Sequence, residues 1–76
     1  MSQDNEYFDK IGNPIKVNDC VVVDDPPNSD ECWAHSFAGN VEALCLDSDG
    51  TPYATIVDGD NCEYDIDLEF IQVEEL

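Results

Sequence analysis

Tyr53-Ala54-Thr55-Ile56-Val57, then Asp58-Gly59-Asp60-Asn61, then Cys62-Glu63-Tyr64-Asp65-Ile66-Asp67 is the stretch that decides the fold. A β-branched run, a turn rich in Asp and Gly, and a run with strict alternation together spell a β-hairpin. Cys62, Tyr64 and Ile66 fall on one side of the second run and Glu63, Asp65 and Asp67 on the other, the period of a half-buried strand. Working outward, Asp47-Ser48-Asp49-Gly50 is a second turn signal, preceded by a run from Phe37 to Leu46 that contains Gly39. Glycine inside such a run predicts a bend or a bulge. Before it, Pro26-Pro27-Asn28-Ser29-Asp30 interrupts the chain as a solvated loop, and a valine-rich run over 17–23 predicts the first strand. After the hairpin, Asp67-Leu68-Glu69-Phe70 suits one helical turn with Asp67 as its cap, followed by a short strand over 71–74. No segment carries a helical apolar stripe of useful length.

The predicted fold class is therefore all-β: five short strands with one short helical turn before the last. Strands this short close most economically into a small barrel or two orthogonally packed sheets. The order of a long first loop, two hairpins and a one-turn helix before the last strand resembles an SH3-like barrel. Ile15 to Val21, Phe37 to Val41, and Tyr53 to Asp58 followed by Asp60 to Leu68 are similar to the KOW and Tudor-type branch. Asp9-Lys10-Ile11-Gly12-Asn13-Pro14 resembles the lead-in hairpin of small acidic phage and bacterial proteins of this kind. One departure is Asn18-Asp19, where the family usually has Gly-Asp; Asn tolerates the same turn geometry. The expected organisation is an acidic N-terminal extension over 1–13 and an SH3-like barrel over 14–76.

Seventy-six residues, 42% of them apolar, allow one compact core but not a core plus a deep catalytic cleft. Nineteen acidic residues face two lysines, a formal net charge of −17. Both cations, Lys10 and Lys16, precede position 17, so the chain cannot form the basic patch that direct nucleic-acid binding needs. A surface of one sign is also unlike an ordinary soluble surface, although solubility or adaptation to high salt would account for part of it. There is no run long and apolar enough for a membrane span, and Met1 to Asp9 lacks the basic start and apolar stretch of a signal peptide. The expected location is cytoplasmic, with no membrane contact.

Cys20, Cys32, Cys45 and Cys62 are then expected to be reduced thiols. Cys32 and His35 could join another cysteine around zinc, but no C-x-x-C pair exists to anchor such a site, and no metal or other cofactor is expected. Asp47-x-Asp49-Gly50 and Asp58-Gly59-Asp60 resemble fragments of a calcium loop, yet the glycine spacing and flanking strands fit hairpin turns better. His35 with Cys32 or Ser36 is the one arrangement suggestive of nucleophilic catalysis. The surrounding negative field opposes thiolate formation, so no catalytic residues and no enzyme are expected.

Binding chemistry is the expectation that remains. On a strand, alternate residues share a face about 6.6 Å apart, so Glu63, Asp65 and Asp67 form an acidic row beside Asp58 and Asp60. Asp24, Asp25, Asp30 and Glu31 form a second cluster on the long loop, and Glu69, Glu74 and Glu75 a third. Such rows imitate a nucleic-acid backbone, which makes the expected partner the basic surface of a DNA- or RNA-processing protein and the expected role that of an inhibitor or modulator. The alternative, which the Tudor-type resemblance implies, is a reader or adaptor gripping a cationic peptide, methylated or not, through Trp33, Tyr53 and Tyr64 with acidic neighbours. Against it, Phe37 and Tyr64 suit the core and Trp33 a lid over it. Val17, Val21 and Val23 are expected to point inward, leaving Cys20 and Val22 outside for Tyr7-Phe8, a partner or a second copy to cover.

Overall fold

The computed structural model describes residues 6–74. The chain is all-β: strands β1 (Tyr7–Phe8), β2 (Pro14–Ile15), β3 (Cys20–Val23), β4 (Phe37–Leu46), β5 (Pro52–Val57), β6 (Glu63–Asp67) and β7 (Ile71–Val73), with a 3-10 turn over Leu68–Phe70. β1 and β2 pair as a small hairpin; the other five form one antiparallel sheet in the order β6-β5-β4-β3-β7. The hairpin read from the sequence is present in register, with Val57 opposite Glu63, Thr55 opposite Asp65 and Tyr53 opposite Asp67.

The hydrogen-bonded ladder stays open, because β6 and β7 are its two ends and do not pair with each other. The sheet coils through β4. Its first residues pair with β3 and its later ones with β5, and only Asn40 is shared by both ladders. The register slips between Val41 and Ala43, so the bulge lies at Glu42 rather than at Gly39. Gly39 answers a different need: a Cβ there would lie 2.6 Å from the Val57 carbonyl oxygen and 2.8 Å from Ile56 Cγ2. Only a hydrogen lets the coiled strand cross that close.

The core is a single cluster in which Val21, Val23, Ala54, Ile56 and Ile71 are fully buried, joined by Ile15, Val41, Ile66, Leu68 and Trp33. Trp33, from the long loop, tilts onto Phe70 at 5.7 Å and donates its indole N–H to the Asp24 carbonyl at 2.7 Å. The loop and the 3-10 turn thus fill the space between the sheet's two ends. Two details differ from the sequence expectation. Val17 is 47% exposed, because Lys16 to Asp19 is a turn rather than the start of the strand. Asp67 leads into the 3-10 turn without a side-chain capping bond.

Three turns share one construction. In Asp9–Asn13, Asp47–Thr51 and Asp58–Cys62 the leading aspartate's Oδ1 accepts from the amides two and four residues on. The fourth residue has positive φ: Gly12 at 89°, Gly50 at 84° and Asn61 at 65°. Aspartate closes the turn with its own side chain, and Gly or Asn supplies the left-handed residue.

Candidate acidic interface

These turns divide the acidic residues by task. Asp9, Asp47 and Asp58 are spent on backbone amides, as is Asp19, which accepts from Lys16 N at 2.9 Å. In the long-loop cluster, Asp25 accepts from Ser36 N at 2.7 Å, while both Asp24 oxygens lie 2.8 Å from Lys10 Nζ. That contact is the one ion pair among the described residues. Asp24, Asp25 and Asp58, expected as partner-binding residues, therefore have structural work. Asp58 is the most heavily used: its carboxyl sits below the usual value of 3.8 because Cys62 N and Asp60 N, together with the Tyr64 hydroxyl at 3.2 Å, favour the charged form. Tyr64 is pushed above 10.0 by the same bond.

Carboxylates directed at solvent collect on β6 and its surroundings. Glu63 and Asp65 are exposed and Asp67 half-buried, on the face opposite the buried Ile66. Asp65 accepts from the Thr55 hydroxyl at 2.8 Å, which fixes the middle of the row. Glu42, at the bulge of β4, reaches the same face. Its carboxyl is raised above 4.5, first by the charge of Glu63 and then by a side-chain hydrogen bond to it. Two carboxyls two strands apart thus share one negative patch. The long loop adds Asp30 and Glu31, both exposed, and its Cys32 thiol donates to the Asp65 carbonyl at 3.7 Å. The row on β6 and the loop cluster are therefore neighbours. Asp60 is exposed at the adjoining hairpin tip; Glu69 and Glu74 are exposed elsewhere, and Glu75 lies outside the described residues.

The aromatic residues do not converge. Trp33 is 5% exposed within the core. Tyr64 points inward and tilts against Phe37 at 4.9 Å, whereas Tyr53, opposite Asp67, stands on the outer face beside Cys45. A shallow depression of about 460 Å³ under the long loop is lined by Asp25, Pro26, Glu31, Cys32 and Trp33, and shows only the rim of the indole. His35 is exposed and its Nδ1 lies 3.0 Å from the Ser36 carbonyl. The four cysteines are free thiols, and the described residues contain no group of three His, Cys, Asp or Glu side chains able to hold a metal ion. Among the described residues no helix is long and apolar enough to cross a membrane.

Glu42 and Asp9 are the residues that sequence reasoning missed. Glu42 enters the patch through a bulge that strict alternation does not predict. The role of Asp9 was signalled by the Asp-x-x-Gly spacing it shares with Asp47. No protein-family model, curated protein or solved structure matches the chain.

Proposed function

We propose that the chain is a non-enzymatic acidic binding protein that occupies a basic, nucleic-acid-binding surface of a DNA- or RNA-processing protein, as an inhibitor or modulator. The observation that carries this is the patch of Glu63, Asp65, Asp67 and Glu42, crowded enough to hold one carboxyl above its ordinary value, with Asp30 and Glu31 beside it. Charge density supports it as well. One row on one strand places a carboxylate about every 6.6 Å, half the density of a nucleic-acid strand with a phosphate about every 3.4 Å. Glu42 and the loop acids add to that row. The strand order, the long first loop and the 3-10 turn before β7 support placing the sheet in the SH3-like class, with closure supplied by side chains rather than by a ladder.

The test is capture from a lysate on the immobilised chain, beside a variant carrying Glu63→Gln, Asp65→Asn and Asp67→Asn. Proteins with nucleic-acid-binding surfaces should be retained by the native chain, lost from the variant, and released between about 0.05 M and about 0.5 M salt. Equal retention by the variant would refute the acidic row as the binding surface. A Tudor-like reader would instead require Trp33 to leave the core, and nothing in the packing of that side chain favours it.

A further inference from the structure

The turn Asp9–Asn13 does more than join β1 to β2. β7 is an edge of the sheet, and the Phe70–Asp24 and Glu74–Cys20 backbone bonds fix its register against β3. That register turns the backbone groups of Ile71 and Val73 outward. Three of them are occupied from within the chain. Lys10 N donates to the Ile71 carbonyl at 2.9 Å, Val73 N donates to Asp9 Oδ2 at 2.7 Å, and Ile71 N bonds the Leu68 carbonyl. The Asp9 carboxylate takes the place of a neighbouring strand's carbonyl. It is 6% exposed, and its other oxygen holds Ile11 N and Asn13 N, so turn and plug depend on one side chain.

We infer that this turn is a plug on the β7 edge, and that without it the edge pairs with the β7 edge of a second copy. The occupant follows from the distribution of charge. β3 and β7, Cys20–Val23 and Ile71–Val73, carry no charged side chain in a molecule of net charge −17. Both lysines of the chain lie on the segment that leads into β3. Of the sheet's two edge strands, β7 is therefore the less repulsive, since β6 carries Glu63, Asp65 and Asp67. The ground beside it is apolar: Ile11, Val22 and Val73 line a groove of about 360 Å³ with Gln72 and Glu74, and Val22 is 38% exposed. An uncharged edge strand flanked by apolar side chains is a template for strand addition unless it is covered. Two strands this short make a small interface, so the pairing is weak and is strengthened by screening the remaining repulsion. Salt thus acts on it in the opposite sense to its effect on a basic partner.

Sedimentation of the native chain, Asp9→Ala and Lys10→Pro at about 0.05 M and about 0.5 M NaCl tests this, with hydrogen exchange at Val73. Lys10→Pro removes the amide that covers the Ile71 carbonyl while suiting the second position of the turn, and its sedimentation carries the test if Asp9→Ala does not fold. The native chain should be monomeric at both salts. Asp9→Ala should lose protection at Val73 at low salt, whereas Lys10→Pro bares only the Ile71 carbonyl and should keep it; both should form dimers at high salt, in which the Val73 amide is protected. Folded variants that stay monomeric at both salts would overturn the inference. So would an Asp9→Ala chain whose Val73 protection is unchanged at low salt, or a native chain that dimerises with its plug in place.

Discussion

At the scale of single residues, the side chains that matter most are those whose neighbours cannot move. Trp33→Ala removes a buried ring and the partner of the Asp24 carbonyl, and should cost about 3–5 kcal/mol. In a domain this small that is a fall in Tm of well over about 10 °C. Gly39→Ala places a methyl against the Val57 backbone, which has no room to retreat, and should cost about 1–3 kcal/mol, read as an earlier denaturant midpoint at unchanged slope. Exposed carboxyls report their surroundings by titration instead. Glu42 should titrate above 4.5 in the native chain and return toward that value in Glu63→Gln, followed by NMR of the carboxyl carbon. A carboxyl raised on folding contributes stability that is present below its unfolded value and lost as pH rises through the folded one. Removing Glu63 should therefore stabilise the protein at neutral pH, where the pair repels. The inward alternation of Ile66 and Tyr64 was legible in the sequence. The reach of Glu42 was not, since a bulge is set by how β4 coils between two neighbours and leaves no local signature.

At the scale of elements, turn chemistry explains why so acidic a chain folds: its aspartates act as backbone partners before they act as charges. The Asp58 turn makes this measurable. Its carboxyl should titrate below 3.8, and Tyr64→Phe should move it part of the way back, because the two amides remain when the hydroxyl is gone. The sign for stability is the reverse of that for Glu42. Asp58 contributes above its unfolded value, and the contribution is lost as pH falls through the lowered one, so Asp58→Ala should blunt acid unfolding below 3.8. Asn61→Gly should be nearly neutral, while Asn61→Val, β-branched at positive φ, should destabilise the hairpin by about 1–2 kcal/mol in thermal melts. The hairpins and the one-turn helix were readable because Asp, Gly and Asn at fixed spacing have one economical conformation. The extent of β3 was not readable at its start. Val17 continues the valine pattern, but Asn18 has φ of 81° and Asp19 closes the turn on Lys16, so local turn bonds override the alternation.

At the scale of the whole molecule, charge sets the terms. With net charge −17 and one ion pair among the described residues, compaction works against self-repulsion. Raising NaCl from about 0.05 M to about 0.5 M should therefore raise Tm, whereas a chain held by many ion pairs would show little gain or a loss. Composition made the acidic character plain at once, but it could not separate carboxylates used by the fold from those left at the surface. That division depends on which groups each side chain meets: Asp24, Asp25 and Asp58 fall on the structural side, and Asp30, Glu31, Asp60, Glu63, Asp65 and Asp67 are those the proposed function assigns to a partner. The central claim is that this second group takes the place of a nucleic acid. The most direct measurement is retention of the heparin-binding proteins of a lysate on the immobilised chain, with and without excess double-stranded DNA or RNA. The account predicts that specific proteins are retained and that nucleic acid displaces them. Retention that is indifferent to nucleic acid, or no retention at all, would contradict it.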